Sequence, residues 1–197
     1  MYGRANLRVT LPALPKFDTL ALAGKRLLVV GGTGGIGRAV ALSAATRGAA
    51  VTVVGRTFKD AGATNVSFVK GDLSSMVAAR ALGKELATAD VIAFTNGTTP
   101  TNKREVTSEG IEKDMATSAL SRLVLLREMW PRLAPGTRIF VWGMPGNGIA
   151  GVRLDDLNAE GPGYAGGFGW GACSAHVSRV MHGATRSYDI QYDGRIT

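Results

Sequence analysis

Short apolar runs alternate along this chain with stretches of helical periodicity. Leu27–Val30, Ala50–Val54, Val66–Val69, Asp90–Thr95 and Thr137–Trp142 each read as a strand, from their length and apolar or β-branched content. Between them lie segments with apolar positions at helical spacing. Gly35–Arg47 reads as a helix with Ala39, Val40, Leu42 and Ala45 among its apolar positions, and Gly48 is its natural stop. After the third strand, Ser74 or Ser75 caps a helix that runs to the neighbourhood of Ala87, with Met76, Ala79, Leu82 and Leu86 on one face. Ser108 to Met129 reads as one long helix with a buried stripe of Ile111, Met115, Leu120, Val124 and Leu125, ended by Pro131. A last helix is expected from Cys173 to Tyr188. Strands alternating with helices predict an α/β fold: a doubly wound parallel sheet of about five strands with helices on both faces.

The organisation that follows is an N-terminal arm over residues 1–23 and one domain over 24–197, with a glycine-rich connection at 143–171. No internal repeat or linker divides the domain. With 197 residues, 45% of them hydrophobic and 19% charged, the composition suits a single globular core, and no run is long and apolar enough to span a bilayer. The single cysteine, Cys173, cannot form an internal disulfide, which suits a reducing compartment and favours the cytoplasm. A packing role for that thiol is favoured over a reactive one. The arm carries Arg4, Arg8 and Lys16 and no acid before Asp18, as organellar leaders do. Pro12, Pro15 and the lack of serine favour an ordinary arm, with organellar targeting as the alternative.

Charge changes the picture less than its size suggests. The formal net charge is +8, but Lys and Arg are scattered without a basic run or interleaved aromatics. That pattern disfavours nucleic acid and suits an anionic cofactor or an acidic partner.

The sharpest chemical signal is Gly31-Gly32-Thr33-Gly34-Gly35-Ile36-Gly37, which follows the first strand and opens the first helix. Glycines there let the backbone turn tightly and approach a pyrophosphate, and the helix N-terminus offers unpaired N–H groups to the anion. A dinucleotide site is therefore expected on Gly31, Thr33, Gly34, Gly35, Ile36 and Gly37; the plainer alternative is a tight turn without a ligand. At the end of the second strand, Val53-Val54-Gly55-Arg56-Thr57 carries no acid that would bind a ribose 2′-OH. Arg56, assisted by Thr57 and Lys59, can instead pair with a 2′-phosphate, so NADP(H) is favoured over NAD(H).

Together these residues resemble the short-chain dehydrogenase/reductase family. The spacing Gly31-x-x-x-Gly35-Ile36-Gly37 matches its glycine motif. Asp72-Leu73 after the third strand is similar to its adenine-contacting pair, and Asn96-Gly97 after the fourth resembles the end of its Asn-Asn-Ala-Gly motif, with only Gly97 matching strictly. The resemblance covers residues 24–143. It implies a Rossmann-like NAD(P)-binding fold, cofactor contacts at Asp72, Leu73, Asn96 and Gly97, and hydride transfer between a small carbonyl and an alcohol.

The family's proton-transfer apparatus is where this chain departs. No Tyr-x-x-x-Lys occurs, since Phe168 follows Tyr164 and Tyr192 follows Tyr188 at that spacing, and no lysine lies beyond Lys113. The family's serine position falls near Gly143-Met144, and its helical asparagine position on Ser118. Substitute candidates for the chemistry are Tyr164 in the glycine-rich loop, His176 on the last helix, with His182 beside it, and Ser118; each also has a plain structural role open to it. Asp155 and Asp156 are adjacent and read as a solvated pair. No metal-ligand spacing and no Gly-x-Ser-x-Gly elbow occurs. Family members also continue with another strand and a substrate-binding segment, and a short form would leave a sheet edge for a protein partner or a second copy to cover. Two readings stand: an NADP(H)-dependent carbonyl/alcohol oxidoreductase, and a catalytically degenerate structural or sensing subunit of an assembly.

Overall fold

The computed structural model describes residues 20–99, 103–142, 156–162 and 164. Five strands, β1 (Arg26–Val30), β2 (Ala50–Gly55), β3 (Val66–Lys70), β4 (Val91–Phe94) and β5 (Arg138–Val141), form one sheet in the order β3-β2-β1-β4-β5. Every pairing is parallel, with Val30 opposite both Val54 and Phe94. The chain moves outward from β1 through β2 to β3, then returns to place β4 on the other side of β1. That reversal makes the carboxyl ends of β1 and β4 the crevice where doubly wound folds bind ligands.

Side chains alternate across a strand, so β1 feeds two cores. Leu28 and Val30 join Val54, Ile92 and Phe94 on one face, against Ala79, Leu82 and Leu86 and the helical residues Leu125, Leu126 and Met129. Leu27 and Val29 join Val51 and Val53 on the other, against Ala41, Ala44 and Ala45 of α1 (Gly35–Thr46). The small residues of α1 let it lie close to the sheet. Its buried face is Gly37, Ala41, Ala44 and Ala45, while Ala39 and Val40 face outward.

Helix α2 (Met76–Glu85) starts at Ser75, whose hydroxyl accepts the Ala78 N–H at 3.2 Å. A second cap comes from far along the chain. The Glu109 carboxylate accepts the N–H groups of Met76 (2.8 Å) and Val77 (3.3 Å) and the Ser75 hydroxyl (3.0 Å). The Met76 N–H leads the hydrogen bonds that hold the Glu109 carboxyl below its ordinary value of 4.5. A lowered folded value gives stability that is present above the ordinary value and lost as pH falls through the lowered one. Glu109→Gln should therefore lower the melting temperature at pH 7, and the gap from wild type should be smaller at pH 3, read by thermal unfolding at both values. An equal gap at both would contradict a role for the charge.

The long helix differs from its sequence reading at the start. Residues 108–112 form a turn closed by the Val106–Glu112 bridge, with Gly110 at φ +76° and therefore outside right-handed helix geometry. The helix begins after Glu112, whose carboxylate accepts the N–H groups of Asp114 (3.0 Å) and Met115 (2.7 Å). Met115–Leu120 is wound as a π-helix, which continues into α3 (Ser121–Met129) and a 3₁₀ turn at Trp130–Arg132. The expected helix Cys173–Tyr188 lies outside the described residues.

Candidate functional site

Two kinds of glycine build the loop between β1 and α1. Gly31 has φ +88°, and a Cβ there would meet Asn96 N at 2.5 Å and Asn96 Cα at 2.6 Å. A Cβ on Gly37 would strike Thr95 Oγ1 and the Gly31 carbonyl. These two let the loop and α1 close onto β4. Gly34 and Gly35 are the opposite case, with no atom of the described residues within 4 Å of an added Cβ. Gly34 caps α1 without a side-chain hydrogen bond, and the first turn holds no acid. The N–H groups of that turn have no side-chain cap, and the space beside Gly34 and Gly35 lies at the positive end of the helix dipole, which fits an anion. Thr33 lies over the end of β2, where a Cβ on Gly55 would meet its Oγ1 at 2.5 Å.

Beyond β2, Arg56, Thr57 and Lys59 are exposed, while Phe58 and Asp60 turn inward. Phe58 stacks on Phe68 of β3 with ring centres 5.2 Å apart, and Asp60 pairs with Arg38 of α1. At the end of β3, the N–H and hydroxyl of Ser74 donate to Asp72, at 3.0 and 2.8 Å, and hold its carboxyl below the usual range. Leu73 is a core residue that packs with Leu82, so its side chain is not presented to a ligand.

A buried polar group lies at the exits of β4 and β5. The wider π-helical turn is matched by two side-chain donors to the Thr117 carbonyl: Asn96 Nδ2 at 2.5 Å and Ser121 Oγ at 2.7 Å. Asn96 Nδ2 also reaches Ser121 Oγ at 3.1 Å, while its Oδ1 is buried without a partner among the described residues. Ser118 lies beneath Gly97, and its hydroxyl donates to Asp114 Oδ1 at 2.5 Å; Thr98 Oγ1 donates to the same oxygen at 2.9 Å. Arg122 donates through Nη1 to the Trp142 carbonyl (2.8 Å) and through Nη2 to the Asn96 carbonyl. Burial pushes its guanidinium down to about 10, against an opposing pull from Asp114. Sequence reading missed Asp114 and Arg122. Their signal was available: with Ser118 they repeat every four residues, a polar line along one helix face.

Part of the glycine-rich loop is tied to the 104–112 turn. Asn158 accepts the Glu112 N–H at 2.7 Å and donates to the Gly110 carbonyl at 3.1 Å, and Arg104 reaches the Asn158 carbonyl. The Tyr164 hydroxyl donates to Glu112 Oε1 at 3.3 Å. Its described partner is thus a helix-capping carboxylate, unlike the lysine of a Tyr-x-x-x-Lys pair. His176, His182, Cys173 and Asp155 lie outside the described residues. Among the described residues, no cluster could hold a metal ion and no helix is long and apolar enough to cross a membrane.

No protein-family model matches the chain. It is 38% identical over 181 residues to an uncharacterized oxidoreductase of Saccharomyces cerevisiae, an alignment that covers 86% of this chain and 56% of the relative. It is 29% identical over 185 residues to a Streptomyces protein named for daunorubicin C-13 ketoreductase activity, covering 86% of the chain and 63% of the relative. The chain thus spans between a half and two thirds of the length of these curated relatives. Its structure matches an uncharacterized protein from Mycobacterium paratuberculosis with a TM-score of 0.75 at 21% identity, over 90% of this chain and 67% of that one. A Pseudomonas aeruginosa RhlG complex with NADP matches at 0.61 and 23% identity, over 88% and 68%. A short-chain dehydrogenase/reductase from Serratia marcescens matches at 0.61 and 20%, over 87% and 70%.

Proposed function

We propose that the chain is a divergent member of the short-chain dehydrogenase/reductase family, with no Tyr-x-x-x-Lys pair within its 197 residues, and that it binds NADP(H) for hydride transfer between a carbonyl and an alcohol. One observation carries the cofactor part: the N-terminus of α1 is uncapped and opens over Gly34 and Gly35 beside the β1–β4 crevice. On this reading, the first-turn N–H groups hold the pyrophosphate, with Thr33 and Ile36 bordering it. Asp72 and the backbone of Leu73 face the adenine, and the Asn96–Gly97 exit lines the nicotinamide end. Arg56, with Thr57 and Lys59, takes the 2′-phosphate. The bound nicotinamide supplies or accepts the hydride. The ketoreductase activity named for the Streptomyces relative supports a carbonyl compound as the class to test.

Calorimetric titration of NADPH and NADH into wild type and Arg56→Ala tests the assignment. NADPH should bind more tightly, and Arg56→Ala should cost it about tenfold, ~1.4 kcal/mol, with little change for NADH. Failure of both dinucleotides to bind wild type would sink the reading.

A second reading is favoured by the missing lysine and by Ser118, whose hydroxyl is committed to a buried carboxylate. It is a cofactor-bound subunit without turnover. NADPH consumption with a panel of aldehydes and ketones separates the two: turnover selects the enzyme, and tight binding without turnover selects the subunit.

A further inference from the structure

The segment after β2 is pinned at three points, and its exposed residues alternate with the pins. Gly55 is held in the β2–β3 ladder with Thr33 packed over it. Phe58 stacks flat on Phe68, with an angle of 8° between the rings. Asp60 receives a fork from Arg38: Nε to Oδ2 at 2.8 Å and to Oδ1 at 3.1 Å, and Nη2 to Oδ1 at 2.5 Å. The Asp60 side chain is only 13% exposed. Arg56, Thr57 and Lys59 are the residues left facing solvent between those pins.

A bidentate arginine–carboxylate pair fixes orientation as well as distance. This one joins the first turn of α1, which borders the anion-binding loop, to the end of the segment that carries Arg56. It also neutralises the one carboxylate within residues 55–60. We propose that the Arg38–Asp60 pair is a specificity brace: Asp60 positions the Arg56–Lys59 segment for the cofactor's 2′-phosphate and so sets the preference for NADPH over NADH. The inference rests on the NADP(H) reading above. Asp60 is a positioning residue in it, since it acts through Arg56.

The test turns on a sign. If Asp60 acted only through its charge, its removal would strengthen binding of a phosphate-bearing cofactor by freeing a cation. As a brace, its removal weakens that binding although the local charge becomes more positive. The full chain and its Asp60→Ala variant are titrated with NADPH and NADH, with ligand-free thermal unfolding alongside. The expected result is about a tenfold loss for NADPH and less than about twofold for NADH. Unchanged or tighter NADPH binding overturns the brace, and so does an equal loss for both cofactors, which marks a general scaffold role. Where Asp60→Ala fails to fold, the exchange Arg38→Asp with Asp60→Arg gives the reading: recovery of the NADPH preference supports the brace, and a folded protein without it refutes it. If wild type binds neither dinucleotide, the cofactor reading itself is lost and this inference with it.

Discussion

Arg122→Met is expected to destabilise the protein by about 3 kcal/mol at pH 7. Arg122 is 4% exposed, and its two terminal nitrogens reach the carbonyls of Asn96 and Trp142. These residues follow the last paired residues of β4 and β5, Phe94 and Val141, where the sheet ladder is running out. Methionine fills much of the same space without a donor, so the Asn96 carbonyl loses its partner in a buried place and the Trp142 carbonyl in a half-buried one. A carbonyl left unsatisfied in that way costs about 1–3 kcal/mol. Asp114 also loses the nearby cation that opposes its burial. Burial lowers the Arg122 guanidinium to about 10, which leaves it charged at neutral pH. Arg122→Lys keeps a charge but cannot span two carbonyls with a planar fork, and it should recover only part of the loss. Guanidinium unfolding of the three proteins measures this. A loss under about 1 kcal/mol for the methionine variant would mean that water replaces the guanidinium without penalty.

Arg122 also marks where sequence reading stopped. The five strands were legible because a buried parallel strand leaves a dense local signal in four to six consecutive residues, and each was placed within a residue or two. The loop from Gly31 to Gly37 was legible because strand, glycines and helix are consecutive. What escaped notice was mostly non-local. Glu109 caps a helix that begins 33 residues earlier, Asp60 meets Arg38 across 22 residues, and Asn158 bonds Glu112 across 46. No pattern in a window reports such pairs. The false start of the long helix has a related cause. The helix expected from Ser108 does not start there, because Gly110 at positive φ breaks the turn after it, and the Glu112 carboxylate supplies the cap. Leu73 shows the limit of transfer by motif, because its side chain serves the core and only its backbone can serve a ligand.

Gly37→Ala and Gly34→Ala should fail in opposite ways, although both change one residue of the same loop. At Gly37 the new methyl carbon would be driven into Thr95 Oγ1 and the Gly31 carbonyl, one of them backbone, with Thr95 tied to the Val30 carbonyl and the Gly31 N–H to the Val54 carbonyl. Neither can retreat without moving α1 off the sheet. The expected cost is about 3 kcal/mol, at the upper end for overpacking, with dinucleotide affinity lost as a consequence. At Gly34 the backbone is extended, with φ −157° and ψ 167°, and an added Cβ meets nothing within 4 Å among the described residues. Alanine there should cost less than about 1 kcal/mol, the difference between glycine and alanine as an N-cap, since no packed or strained position changes. If the space over Gly34 is where a pyrophosphate approaches the helix N-terminus, the same methyl stands between the anion and its N–H donors. NADPH affinity should then fall about tenfold with little loss of stability. Parallel unfolding and NADPH titration of both variants separates a packing glycine from a cradle glycine. A Gly34→Ala protein that binds NADPH as wild type does would show that this open space is not where the anion sits, whatever becomes of Gly37.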